Sequence, residues 1–177
     1  VVQNATSAEI MGAELTGALR LDRDWRVNAG ATWLPRARYG RFLGAPIDIP
    51  VAGGGNFEPV GGFDATGYRE IRSPKFQGNI SLDYQHAYDW GRVSGNVSVF
   101  YATSFAFTVD GRLRQPAHEN VNAQLAWEPA HTPLKFTLWG RNLSNALSYN
   151  SIYADPFGDI AFFAPPRELG FTVAVSF

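Results

Sequence analysis

Leu169-Gly170-Phe171-Thr172-Val173-Ala174-Val175-Ser176-Phe177 closes the chain with a strict alternation of large apolar and small or polar side chains. In an extended strand successive side chains point to opposite faces. Leu169, Phe171, Val173, Val175 and Phe177 therefore share an apolar face, and Gly170, Thr172, Ala174 and Ser176 share the other. The same alternation recurs six times upstream. Residues 134–141 set Leu134, Phe136 and Leu138 against Lys135, Thr137, Trp139 and Arg141. Residues 120–128 set Val121, Ala123, Leu125 and Trp127 against Asn120, Asn122, Gln124, Ala126 and Glu128. Residues 93–101 oppose Val93, Val97, Val99 and Tyr101 to Ser94, Asn96, Ser98 and Phe100, and residues 76–85 oppose Phe76, Ile80, Leu82 and Tyr84 to Gln77, Asn79, Ser81, Asp83 and Gln85. Residues 25–33 alternate Trp25, Val27, Ala29, Ala31 and Trp33 with Arg26, Asn28, Gly30 and Thr32, and residues 10–21 form the first strand.

The connections alternate in length. Asp22-Arg23-Asp24, residues 87–91 and residues 129–133 are short turns; residues 35–71, 105–117 and 145–166 read as loops, the first opened by Pro35 and carrying Gly53-Gly54-Gly55. The polar faces hold amides, hydroxyls and charges of both signs, which suits a hydrated lumen rather than a dry sandwich interior. The apolar faces must then meet something else, and lipid is the economical candidate. A strand of about ten residues tilted by about 40° spans about 25 Å, the height of the apolar band of an outer-membrane barrel. Outward Trp25, Tyr84, Trp127 and Phe177 fall at the short-turn end, and Trp33, Phe76 and Tyr101 at the long-loop end, forming two aromatic girdles. Short periplasmic turns and long extracellular loops put the carboxy terminus in the periplasm.

Composition agrees with this reading. Fifteen basic and sixteen acidic residues leave a net charge of -1, which offers no basic field for nucleic acid, and the absence of cysteine excludes disulfides and thiolate metal sites. No apolar run reaches the length of a transmembrane helix, and aromatic content is 14%. Alternating strands hide a membrane span from hydropathy averages. The opening Val1-Val2-Gln3-Asn4 carries neither an initiating methionine nor a signal peptide, so the expectation is a mature chain or a fragment.

His86, His118 and His131 show no metal-binding spacing, no G-x-S-x-G run is present, and Gly53-Gly54-Gly55-Asn56 lacks the strand and helix of a phosphate loop. No cofactor, metal or catalytic site is read, and the chain is taken as a non-enzyme. Glu14, Asp83, Glu128, Arg20, Arg26, Lys135 and Arg141 point inward and read as lumen wall or plug-contacting surface, while Asp155 and Asp159 read as loop solvation with calcium binding as the alternative. The loops are rich in aromatics: Tyr39, Phe42, Phe57, Phe63 and Tyr68; Phe105 and Phe107; then Tyr149, Tyr153, Phe157, Phe162 and Phe163. Mutual packing and a ligand vestibule account for that density equally well.

Several motifs resemble one family. Trp139-Gly140-Arg141-Asn142-Leu143-Ser144-Asn145 resembles the run preceding the last extracellular loop of TonB-dependent outer-membrane receptors, and Pro165-Pro166-Arg167-Glu168-Leu169-Gly170 with the strand to Phe177 resembles their closing segment. Val2-Gln3-Asn4-Ala5, Gly12-Ala13-Glu14-Leu15 and Arg72-Ser73-Pro74-Lys75-Phe76 resemble upstream parts of the same region; Ser144 departs from the aromatic often found there.

The resemblance implies an all-β, antiparallel transmembrane barrel segment of about seven strands, the last of a 22-stranded barrel, with residues 1–177 as its carboxy-terminal part and the plug domain absent. Its implied partners are outer-membrane lipid, the rest of the barrel and plug, the TonB complex acting through that plug, an extracellular small-molecule ligand such as a ferric siderophore, and the barrel-assembly machinery. That machinery would read Phe171, Val173, Val175 and Phe177. Val1-Val2 would be the stub of an eighth strand. The alternatives are a complete eight-stranded barrel with an adhesive or structural role, and a soluble β-sandwich packing the faces of Trp25, Trp33 and Trp127 against a second sheet.

Overall fold

Alternation at this density leaves the backbone one economical way to satisfy its hydrogen bonds, which is to pair each strand with the next. The computed structural model describes residues 5, 7–57, 59 and 61–176. Its strands are β1 (Ser7–Arg20), β2 (Trp25–Arg41), β3 (Ile49–Pro50), β4 (Asn56–Phe57), β5 (Phe76–Tyr88), β6 (Gly91–Ala102), β7 (Phe105–Ala106), β8 (Arg114–Gln115), β9 (His118–Pro129), β10 (Leu134–Arg141), β11 (Tyr149–Asp155), β12 (Gly158–Phe163) and β13 (Glu168–Val175). Seven of them form one antiparallel meander in the order β1-β2-β5-β6-β9-β10-β13. The other six pair two by two within the long connections. Strands β1 and β13 each have one neighbour in the sheet, so the wall is open at both edges. Residues 1–4 and Phe177, on which the eighth-strand stub and part of the closing girdle were expected, lie outside the described residues.

Register carries the apolar face from strand to strand. Leu19 sits opposite Val27 and Val27 opposite Leu82. Leu82 faces Val97, and Leu125 faces Leu138, which faces Phe171. This face is open: Leu15 is 76% exposed and Phe171 63%. Trp33 keeps 57% of its surface and Trp127 42%, so no second sheet covers them and the β-sandwich reading is corrected. The opposite face is polar and internally bonded. Asn28 Nδ2 donates to Asp83 Oδ2 at 2.7 Å and to Ser81 Oγ at 3.2 Å, and Asn96 Nδ2 donates to Asp83 Oδ1 at 2.6 Å.

At the short-turn end the aromatic girdle is continuous. Trp25 meets Tyr84 at 4.6 Å, and the Tyr84 and Tyr88 hydroxyls lie 2.7 Å apart. Tyr88 stacks on Trp90 at 4.7 Å; Trp90, Trp127, Phe136 and Phe171 follow at 6.2, 5.6 and 6.2 Å. The tightest of these turns depends on Gly91, whose φ of 141° and close approach to Glu128 O leave no room for a Cβ.

Two expectations are corrected. Strand β2 does not stop before Pro35 but runs to Arg41. Register shifts where Ala13 pairs with Trp33 and Met11 with Arg36, so Leu34-Pro35 form a bulge opposite Gly12, and a bulge is where a strand tolerates a residue without an N–H. Nor is the last long connection irregular: β11 and β12 form a hairpin turned at Pro156-Phe157.

Candidate functional site

The described chain buries its hydrophobic core in the long loops rather than in the wall. Phe42, Ala45 and Ala65 form a cluster packed by Tyr39, Phe63 and Val109. The bulge in β2 makes this possible by turning Ala37 and Tyr39 to the side opposite Arg36 and Arg38, where Ala37 is buried. Tyr39 meets Phe42 edge-on at 5.1 Å, and Phe63 meets Tyr68 the same way at 5.0 Å.

The three long loops are fastened to one another. Arg112, the residue directly after the Asp110-Gly111 turn, bridges them all. Its Nη2 donates to Asp48 O at 2.8 Å in the first loop and to Asp159 Oδ1 at 3.0 Å in the third, and its Nη1 also pairs with Asp159. Asn56 N donates to Pro156 O at 2.9 Å and Asn56 Nδ2 to Asp155 O at 2.8 Å, seating the β3–β4 hairpin on the turn of β11–β12. Buried Gln115 accepts from Tyr149 N at 2.7 Å. Arg72, with φ 54°, donates from its backbone to Ala106 O at 2.8 Å and lies over the Phe107 ring. The Arg112 hydrogen bond holds the Asp159 carboxyl below its ordinary range, and Asp159 in turn raises the guanidinium's affinity for its proton. Asp155 Oδ1 accepts from Phe157 N at 3.0 Å, so both acidic residues weighed for calcium have protein partners.

Of the residues named for a vestibule, Phe42 is buried and Tyr39 and Phe63 pack on the loop core. Tyr149 and Phe163 pair across the third hairpin at 5.1 Å, as Tyr153 and Phe162 do at 5.9 Å. Phe162, Phe163, Tyr153 and Tyr68 nonetheless stay exposed, and Phe157 at the hairpin tip is 94% exposed. Trp33, Phe76 and Tyr101 mark the upper edge of the wall, with Phe76 opposite Trp33 and 6.4 Å from Tyr101. Phe171, Val173 and Val175 lie on the outward face of the edge strand β13.

Sequence reasoning missed Arg112, Asn56 and Gln115. Their partners are far away in the chain, and only the Asp-Gly turn before Arg112 was readable. The closing motif is explained by contact: Asn142 Nδ2 donates to Pro165 O at 3.2 Å, and Asn145 Oδ1 accepts from Arg167 N at 3.3 Å, tying both ends of the last loop.

An open, lipid-facing meander with loops gathered at one end is the form of a large outer-membrane barrel wall. The sequence matches the family described as "TonB dependent receptor-like, beta-barrel" over residues 1–143, and the chain belongs to that family. Membership places it in a bacterial outer membrane.

No curated protein matches it by sequence. Among solved structures, the ferric yersiniabactin uptake receptor FyuA of Yersinia pestis aligns with a TM-score of 0.74 at 15% identity, over 96% of this chain and 24% of that one. The siderophore receptor PiuA of Acinetobacter baumannii aligns at 0.68 and 15% identity, over 94% and 21%. The ferric-catecholate import receptor Fiu of E. coli K12 aligns at 0.62 and 18% identity, over 93% and 20%. The chain therefore spans about a quarter of the first of these and a fifth of the others.

Proposed function

We propose that this chain is the carboxy-terminal barrel wall and part of the outer vestibule of a TonB-dependent receptor that imports a scarce nutrient, a ferric siderophore or a similar iron complex. The observation that carries the reading is the pairing of a lipid-facing wall with three loops clasped into one aromatic-rich assembly at a single end. In this reading the long loops are extracellular and the short turns and carboxy terminus periplasmic. The open edges of β1 and β13 pair with the remaining strands, and the polar face around Asn28, Asp83 and Asn96 meets a plug. The energy-transducing complex acts on that plug, and β13 is the strand read by the assembly machinery. Exposed Tyr68, Tyr153, Phe157, Phe162 and Phe163, with half-buried Tyr149, supply flat apolar contact to a conjugated ligand, and Tyr39, Phe42 and Phe63 are their packed support.

The test is ligand binding by the full receptor. Phe162→Ala together with Phe163→Ala is expected to weaken the binding of ferric siderophores, titrated by intrinsic fluorescence. Unchanged affinity across ferric catecholate, hydroxamate and phenolate complexes would assign both rings to loop packing.

A further inference from the structure

The hairpin of β1 and β2 sets Arg20 directly opposite Arg26. Like charges facing each other across two strands are destabilising. Both side chains belong to the polar face, since Arg26 alternates with Asn28 and stands opposite Asp83 on β5. Arg23 joins them from the short turn, and the three line a hollow of about 680 Å³ together with Asp83, Asn96 and Gln124.

Carboxylates are close by, but each is engaged elsewhere. Asp22 Oδ1 accepts from Asp24 N and Trp25 N, both at 2.8 Å, and so caps the turn. Asp24 Oδ2 lies 2.7 Å from His86 Nδ1. The two oxygens of Asp83 are taken by the amides of Asn28 and Asn96. Among the described residues, no carboxylate forms an ion pair with Arg20, Arg23 or Arg26.

The positive excess continues along the wall. Arg92 and Lys135 share the single carboxylate of Glu128, Lys135 Nζ at 3.0 Å and Arg92 Nη1 at 3.9 Å. Arg92 stands opposite Glu128 on the face that carries Ser94 and Asn96. Arg20 and Arg26 flank the first short turn, Arg92 follows Gly91 at the second, and Lys135 follows Leu134 at the third, so these bases share one end of the polar face. Adjacent strands lie about 4.8 Å apart, and the belt crosses the five gaps from β1 to β10, roughly 24 Å. A small anion answers only part of that width, whereas an extended peptide of about seven residues follows all of it. A transient occupant would also leave Arg20 and Arg26 repelling each other whenever it is absent, so the arrangement fits a resident one.

We infer that Arg20, Arg23, Arg26, Arg92 and Lys135 form a basic belt at the periplasmic mouth of the lumen, which binds an extended acidic segment of the plug domain. Carboxylates of that segment accept charge-assisted hydrogen bonds, bidentate where one carboxylate meets one guanidinium. The belt holds the plug at its periplasmic side by contacts that salt screens. The inference rests on the proposed reading of a plug-filled receptor with its short turns in the periplasm.

The experiment uses the full receptor in mild detergent. R20K/R26K keeps both charges and supplies amines that a carbodiimide joins to carboxylates in direct contact, and the linked peptides are mapped by mass spectrometry. Lys135 and Glu128, 3.0 Å apart, give the internal reference. Coupling of positions 20 and 26 to Asp or Glu of the plug is expected, with a yield several-fold lower at about 1 M salt, where the Debye length is about 3 Å. The neutral R20Q/R23Q/R26Q variant is expected to let added protease cleave the plug about tenfold faster, while R20K/R26K matches the wild type. Coupling to Asp83 alone would show that the wall neutralises its own arginines and overturns the belt. Absence of plug coupling beside an intact Lys135–Glu128 link overturns it too, as does equal cleavage of the wild type and the neutral variant.

The plug itself is read independently by photo-crosslinking from Asn79→p-benzoylphenylalanine, on the same face but further from the short turns, opposite Gly30 and Phe100. Capture of the plug there without coupling at the belt refutes the belt alone. Capture at neither position refutes the plug-filled lumen and the belt with it.

Discussion

Asn142 adopts a left-handed backbone, φ 47°, at the point where β10 leaves the wall. Its amide answers four groups: Nδ2 donates to Ala146 O at 3.0 Å and to Pro165 O, and Oδ1 accepts from Ala146 N at 2.9 Å and from Ser144 Oγ. The side chain is buried, so Asn142→Ala strands these partners away from water and adds strain at a conformation Asn tolerates better than Ala. The expected loss is about 2–4 kcal/mol, read as a lower urea midpoint for the receptor folded in lipid vesicles. Arg112 gives a second prediction at this scale. Asp159 has its folded pKa depressed by Arg112, so its contribution is present above the ordinary carboxylate range and is lost only as pH falls through the lowered value. Loop contacts measured by spin labels on the first and third loops should hold at pH 5 and separate in strong acid; Arg112→Gln should separate them at neutral pH. Asn142 was legible as part of a motif, though its bonds were not. Arg112 was not legible, because its partner Asp159 belongs to another loop and no local pattern couples the two.

At the scale of elements, the seven wall strands were readable because membrane and lumen impose a period of two on every one of them. Leu134–Arg141 matches its expected bounds, since turn residues flank it on both sides. The reading failed where a strand left the membrane. Above Trp33 no apolar face remains to impose alternation, and Pro35 looked like an end although it sits in a bulge. The β11–β12 hairpin was missed for the same reason, although Asp155-Pro156-Phe157-Gly158 between aromatic runs is a turn signal. Packing between neighbouring strands yields a sharper prediction. A Cβ on Gly170 would lie 2.1 Å from the Trp139 ring, whose Nε1 is held by Thr172 Oγ1 at 3.2 Å. Gly170→Ala must therefore displace Trp139 and is expected to cost about 1–3 kcal/mol, the range of overpacked sites. Gly17→Ala, in open space, should change stability little; equal effects in vesicle unfolding would show that Trp139 moves freely.

For the molecule as a whole, the unsatisfied groups lie along two edges. β1 offers 14 residues and β13 offers 8, and backbone groups left unpaired in hydrocarbon cost several kcal/mol each. Closing the sheet on itself does not solve this. In a meander of seven strands the first and last run in the same direction, so the seam would be parallel in an otherwise antiparallel wall. It would also crowd Trp139, Phe100 and Arg141 into a narrow lumen, whereas barrel diameter grows with strand number. The 177-residue chain diluted alone into lipid vesicles is thus expected to give no protease-protected, heat-modifiable monomer, and to associate through its edges instead. If the chain is part of the proposed receptor, co-dilution with that receptor's other barrel strands restores protection by pairing both edges. A protected monomer formed by the chain alone would show that β1 and β13 satisfy each other, and would remove the edge argument for a larger wall.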